Sequence, residues 1–203
     1  MIASITKFNL TTQSLFILIL SLSQFSYANQ EQAIFAGGCF WCIESDFEKI
    51  DGVTSAVSGY IGGRIANPSY QQVSSGTTGH TEAVKIVFDS SIISYPQLLG
   101  YFWVNIDPLD GDGQFCDRGS QYRSEIFYLN SSQQLAAQQS LKELVARVAL
   151  PGEIQTAITA ASEFYIAEEY HQDYYKKNPT RYNYYRWRCN RDDRLKQLWE
   201  STD

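Results

Sequence analysis

Ala33-Ile34-Phe35-Ala36-Gly37-Gly38-Cys39-Phe40-Trp41-Cys42-Ile43-Glu44 reads as a strand that turns at two glycines into a helix. Residues 33–36 form a short apolar run of strand character, and Phe40, Ile43, Phe47 and Ile50 then recur at helical spacing. Gly37 and Gly38 let the backbone turn sharply and approach a ligand closely. That junction sets Cys39 at a helix N-terminus, where unpaired N–H groups and the helix dipole favour a thiolate. Two thiols three residues apart, with two aromatic rings between them, point to redox or nucleophilic thiol chemistry.

Working outward, residues 53–60 alternate and are β-branched, so they read as a strand. Gly59, Gly62, Gly63, Asn67 and Pro68 mark a loop. Residues 69–73 form a short helical turn, and residues 82–88 alternate as another strand. Ser94 and Gln97 make a capping pair for a helix through Leu98, Leu99, Phe102 and Trp103. Residues 105–120 are turn-rich and acidic, a length of loop that is usually functional or mobile. Residues 123–129 give a further strand, and a long helix opens at Ser131 or Ser132 and runs to Val148. Residues 154–158 are expected as an edge strand, with another short one around Phe164 and Tyr165. The tail from Glu168 is rich in Tyr, Arg and Lys, with a terminal helix over residues 193–199. The β-α-β-β-α-β order predicts an α+β, ferredoxin-like two-layer sandwich with long loops and an irregular C-terminal tail.

The first 28 residues stand apart from that core. Lys7 precedes the apolar run of residues 15–20, and Ser26-Tyr27-Ala28 is a small-x-small cleavage pattern. This layout is that of a secretory signal peptide, too short in its apolar run to span a bilayer. The expectation is an exported protein, periplasmic or extracellular, whose mature domain covers residues 29–203. Removing residues 1–28 takes away one Lys and no acid, so the net charge moves from −6 to −7. An acidic domain argues against nucleic acid and anionic membranes as main partners.

All four cysteines, Cys39, Cys42, Cys116 and Cys189, lie in the mature part. An even count in an exported chain is compatible with two structural disulfides, although a domain of this size does not need them. Cys39-Phe40-Trp41-Cys42 has three chemical readings: a thioredoxin-like redox pair, half of a zinc site, or a nucleophile with a resolving thiol. The other Cys and His residues form no second pair at metal spacing, which disfavours zinc. Phe40 and Trp41 are bulky for a thioredoxin-like pair, and rings beside a nucleophile suit a pocket for an apolar group. Glu82 opens an otherwise apolar strand, where a solvent-facing carboxylate is the ordinary outcome. His80 sits in a glycine-bounded turn and reads as structural. Asp117 and Arg118 on their own would be a loop ion pair of little energetic weight.

Taken together, the segments resemble the peptide-methionine (S)-S-oxide reductases, the A-type methionine sulfoxide reductases. The resemblance is carried by residues 37–44 (GGCFWCIE), 57–63 (VSGYIGG), 79–84 (GHTEAV), 112–124 (DGQFCDRGSQYRS) and 168–174 (EEYHQDY), in that order. It implies that Cys39 is the nucleophile that attacks the sulfoxide sulfur and becomes a sulfenic acid. It implies that Glu82 is the acid, kept protonated by burial, and that Tyr70 and Tyr122 hydrogen-bond the sulfoxide oxygen. Phe40 and Trp41 match the rings that hold the S-methyl group, and Asp117 a carboxylate that orients the bound methionine. Many members carry Gly where this chain has Cys42 and resolve with a C-terminal cysteine. Cys42, one helical turn from Cys39, is the expected resolving thiol, with Cys189 in a mobile tail as the family-like alternative. Cys116 stands where many members have Asn and reads as a silent loop thiol. The resemblance further implies a monomer without a metal or other cofactor, acting on methionine sulfoxide, free or in proteins. Its reductant would be thioredoxin or an envelope thioredoxin-like donor.

Overall fold

The opening strand takes its place because its last five residues are apolar or small and buried on both faces. In a computed structural model that describes residues 29–200, β1 (Gln30–Gly37) runs through the middle of a six-stranded sheet. The secretory leader expected at residues 1–28 lies outside the described residues. The chain continues through α1 (Phe40–Phe47), β2 (Val53–Ile61), α2 (Tyr70–Ser74), β3 (Thr81–Asp89) and α3 (Tyr95–Val104). A two-stranded hairpin, β4 (Gly113–Gln114) with β5 (Asp117–Arg118), leads to β6 (Ser124–Tyr128), α4 (Ser131–Arg147), β7 (Ala157–Ala160) and β8 (Tyr165–Ile166). Three helices finish the chain: α5 (Tyr174–Lys177), α6 (Pro179–Arg188) and α7 (Arg191–Trp199).

The sheet order is β7-β6-β1-β3-β2-β8. Its pairings are antiparallel except β6 with β7. This is a mixed α/β fold with a central sheet and several helices. Register places Phe35 opposite Val84 and Tyr60 opposite Glu82. With side chains alternating across the sheet, Ala33 and Phe35 enter the core shared with Ile43, Phe47, Leu98 and Phe102 of the helices. Ile34 and Ala36 face the other way, where Ala161 and Phe164 pack over them. The Phe35 ring lies 5.3 Å from that of Phe47, 5.0 Å from Phe102 and 6.0 Å from Tyr95.

Several elements differ from the sequence reading. α1 stops at Phe47, leaving Ile50 outside, because the turn at Gly52 (φ 95°) already carries the chain towards β2. The strand expected at residues 154–158 is shifted to Ala157–Ala160, where parallel pairing with β6 sets its register. The tail is not irregular. α6 buries only Tyr182 and so offers no apolar stripe, yet Arg186 on that helix holds Asp46 with contacts of 2.8 and 3.0 Å.

Phe35→Ala should lower the unfolding free energy by about 3–5 kcal/mol, since the ring leaves a cavity among three others. Urea denaturation would check this, and a loss under about 1 kcal/mol would show that the core closes around the gap.

Candidate active site

At the junction the two glycines are sterically required. A Cβ on Gly37 would lie 2.6 Å from Ile43 Cδ1, and one on Gly38 2.6 Å from Gln114 Cβ, with Gly38 at φ 88°. The turn they permit leaves Cys39 as the N-cap of α1 and Cys42 at its third position, with the Cys42 N–H donating to the Cys39 carbonyl at 3.1 Å. Cys39 and Cys42 are the free cysteines among the described residues, and both are buried.

Cys39, Glu82 and Asp117 share a small cavity of about 60 Å³ with the rings of Phe40, Trp41, Tyr70, Tyr122 and Tyr185. The sequence-expected residues Cys39, Phe40, Trp41, Tyr70, Glu82, Asp117 and Tyr122 thus come together from α1, α2, β3, β5 and the turn before β6. Glu82 does not face solvent. It is 2% exposed, and its Oε2 accepts the Phe40 N–H at 3.0 Å. Burial pushes its carboxyl up to about 8, against the pull of that N–H and reinforced by the Asp117 charge. At neutral pH it therefore holds its proton. Burial likewise pushes the Tyr70 hydroxyl up to about 12 and raises Tyr122 further still, so both phenols are proton donors.

The helix dipole does not make Cys39 a thiolate. Burial raises it well above the ordinary thiol range, helped by Cys42, Glu82 and Asp117. Cys42 is lowered by the hydrogen bond from Cys39 and by Arg191 and Arg186, against its own burial. Of the two thiols, Cys39 is thus the one held in its neutral form.

Some of the supporting residues carry no signal in the sequence reading beyond lying in a matching segment or the Tyr-rich tail. His171 Nδ1 accepts the Trp41 indole N–H at 3.1 Å, fixing that ring, and burial holds the imidazole down to about 4, hence neutral. Trp41 also stacks on Tyr174 at 3.7 Å. Glu168 accepts the Tyr60 hydroxyl and the Tyr70 N–H, each at 2.8 Å. The Tyr185 hydroxyl donates to Asp117. Arg191, 2% exposed, donates to the Gly37 carbonyl at 3.3 Å and to that of Asn105 at 2.5 Å. Its guanidinium lies 4.3 Å from the Phe115 ring centre.

His80 is a brace, accepting the Gly63 N–H at Nδ1 (3.1 Å) with its Nε2 2.8 Å from the Ile65 carbonyl. The carboxylates of Glu44, Glu48 and Asp173 converge, but Lys176 Nζ sits 2.7 Å from Glu48 and 2.8 Å from Asp173 and supplies the positive charge there. Cys116 and Cys189 are disulfide-bonded, 73 residues apart, with Cα atoms 4.8 Å apart. Cys116 is therefore not a lone loop thiol. Cys189 is not in a mobile tail: it caps α6, 8% exposed, and its sulfur is engaged.

The family model for peptide methionine sulfoxide reductase matches residues 31–203. The chain belongs to that family. It is 48% identical over 172 residues to the peptide methionine sulfoxide reductase MsrA/MsrB of Vibrio cholerae, covering 85% of this chain but 46% of that longer protein. It is 48% identical over 170 residues to the MsrA of Bacillus licheniformis, covering 84% of this chain and 94% of the relative. Its structure is similar to that of methionine sulfoxide reductase A of Corynebacterium diphtheriae, with a TM-score of 0.70 at 32% identity over 76% of this chain and 77% of the other.

A carboxyl resonance titrating with a midpoint near pH 8 is expected in carbon NMR of the reduced protein, and Glu82→Gln should remove it. A midpoint near the ordinary carboxyl value would show that water reaches the cavity freely.

Proposed function

We propose that the chain reduces the S-epimer of methionine sulfoxide, free or in proteins, as a peptide-methionine (S)-S-oxide reductase. The observation that carries the reading is the meeting of a buried thiol, a protonated carboxyl and two phenols around one ring-lined cavity. In this reading Phe40 and Trp41 hold the S-methyl group, and Asp117 orients the methionine backbone. Tyr70 and Tyr122 donate to the sulfoxide oxygen, and Glu82 delivers a proton to it as Cys39 attacks the sulfur. The Cys39 proton replaces the one that Glu82 gives up. Methionine leaves, and the oxygen stays on Cys39 as a sulfenic acid, so the substrate gains the two electrons that the Cys39 sulfur loses.

Cys42 is the resolving thiol of the proposal. Its sulfur attacks that of Cys39, a disulfide forms and water departs. Support comes from its place one turn from Cys39 and from its raised acidity, set by the Cys39 hydrogen bond and by Arg191 and Arg186, since the thiolate is the attacking species. Cys189, bonded to Cys116, stands second as a resolving group. A dithiol donor, thioredoxin or an envelope thioredoxin-like protein, then takes up the disulfide. A cavity walled by large rings suits a thioether better than a protein disulfide, which weighs against a thioredoxin-like exchange activity. No metal or other cofactor enters this chemistry. We further propose a secretory leader at residues 1–28, a catalytic domain at residues 29–203, export to the periplasm or beyond, and a monomeric state. Describing the core as ferredoxin-like is supported by the β6-β1-β3-β2 order around α1 and α3.

Single-turnover reduction of separated epimers by the pre-reduced protein tests the activity: S alone should react, with two thiols lost. Cys39→Ser should abolish it. Glu82→Gln should slow the first turnover by about 100-fold or more, the range of a lost general acid. Because the active carboxyl is the neutral one, the rate should be full below pH 8 and fall as pH rises through it. Cys42→Ser should spare the first turnover and block recycling by a thioredoxin-type donor; normal recycling would reassign the resolving role.

A further inference from the structure

We propose that the Cys116–Cys189 disulfide is a positioning clamp for substrate: it fixes the β4–β5 hairpin to the end of α6 so that Asp117 and Tyr185 meet at the Cys39 cavity. The inference rests on the reductase reading above and adds to it a role for the two cysteines outside the Cys39–Cys42 pair.

The hairpin's strands are anchored to the preceding loop, Gln114 by two hydrogen bonds with the Asp107 backbone (2.8 and 2.7 Å) and Arg118 by Asp110. Its turn, by contrast, meets the C-terminal helices through the disulfide, Tyr185 and Arg191. Its ladder is two residue pairs, Gly113 with Arg118 and Gln114 with Asp117, and so short a ribbon is not stable by itself. Its turn is Phe115-Cys116, with Phe115 at φ 56°, and Asp117 follows Cys116 directly. On the other side, the Cys189 N–H donates to the Tyr185 carbonyl at 2.9 Å, which puts Tyr185 one helical turn before the cysteine. The disulfide therefore joins a neighbour of Asp117 to a near neighbour of Tyr185, and the Tyr185 hydroxyl donates to Asp117 alongside it. Both side chains line the cavity. Arg191, lying against the Phe115 ring, approaches the same turn from α7.

Cys116 is exposed whereas Cys189 is buried, so one sulfur of the bond is open to an incoming thiolate. Opening by an external dithiol is balanced: the donor becomes a disulfide, and Cys116 and Cys189 each gain one electron and one proton. The open form leaves Asp117 held by weaker contacts, while Cys39, Glu82 and the phenols, which belong to other elements, keep their places. Loss of the clamp should thus weaken substrate binding and leave the chemical step alone.

The test is rapid-quench single turnover of N-acetyl-methionine (S)-sulfoxide by full-length mature protein with Cys39 and Cys42 reduced. Mass spectrometry of the alkylated wild type should confirm two free thiols and the intact Cys116–Cys189 bond. Cys116→Ser, Cys189→Ser and the double variant should each raise the half-saturating concentration by about tenfold, the scale of one lost charged hydrogen bond, with limiting rates within about twofold. The double variant should be no worse than either single one, since either change breaks the same bond. An unchanged half-saturating concentration with a lowered Tm would make the bond a staple only and overturn the clamp. Normal first turnover and substrate binding with failed recycling by a thioredoxin-type donor would instead make the pair an electron relay. If the variants do not fold, wild type with the bond selectively reduced gives the same comparison. Wild type that leaves the (S)-sulfoxide unreduced would sink the reductase reading itself.

Discussion

The hydrogen bond from the Phe40 N–H to Glu82 Oε2 joins the first turn of α1 to β3, and the site is arranged around it. It places a carboxyl at a helix N-terminus, where a charged acid would ordinarily be stabilised. Burial opposes that preference and wins, as the upward displacement of Glu82 shows. The same enclosure raises Cys39, so nucleophile and acid both rest in their neutral forms. A neutral pair in a small ring-lined space can accept an uncharged polar substrate, then separate charge only as bonds rearrange. The glycine turn that precedes Cys39 is what lets the helix begin so close to β3.

A second layer holds this arrangement from behind. Glu44, two residues beyond Cys42 in α1, accepts the Ser58 hydroxyl at 2.8 Å and the Asp173 N–H at 2.9 Å, tying α1 to β2 and to the start of α5. Arg191 reaches from α7 to the Gly37 carbonyl, two residues before Cys39. The C-terminal helices thus act as the rear wall of the site, although their sequence is mostly polar.

The strands and the helices that build the central core were legible because their patterns are local. Alternation marked β2 and β3, and Ser94 with Gln97 marked the start of α3, where Gln97 Oε1 accepts both the Ser94 N–H and hydroxyl. The meeting of Cys39, Glu82, Tyr70, Tyr122 and Asp117 came only through family resemblance, since spacing alone does not bring four separate segments to one cavity. α5 and α6 were not legible: α5 begins after a left-handed residue, Asp173 at φ 53°, rather than after an ordinary cap, and α6 is held by Arg186 to a distant Asp46. The partner of Cys116 could not be read either, because composition does not choose among pairings 73 residues apart. The thiolate expected at Cys39 failed for a related reason: the dipole is a local property, whereas burial depends on segments far along the chain.

The sheet's two borders have a consequence of another kind. One ends in the four-residue β7 and the other in the two-residue β8. Short borders offer an approaching strand few unpaired amide and carbonyl groups, a known safeguard against edge-to-edge aggregation. A repair enzyme for damaged proteins would meet partly unfolded chains whose loose strands seek such partners. Borders this short give such strands little to pair with.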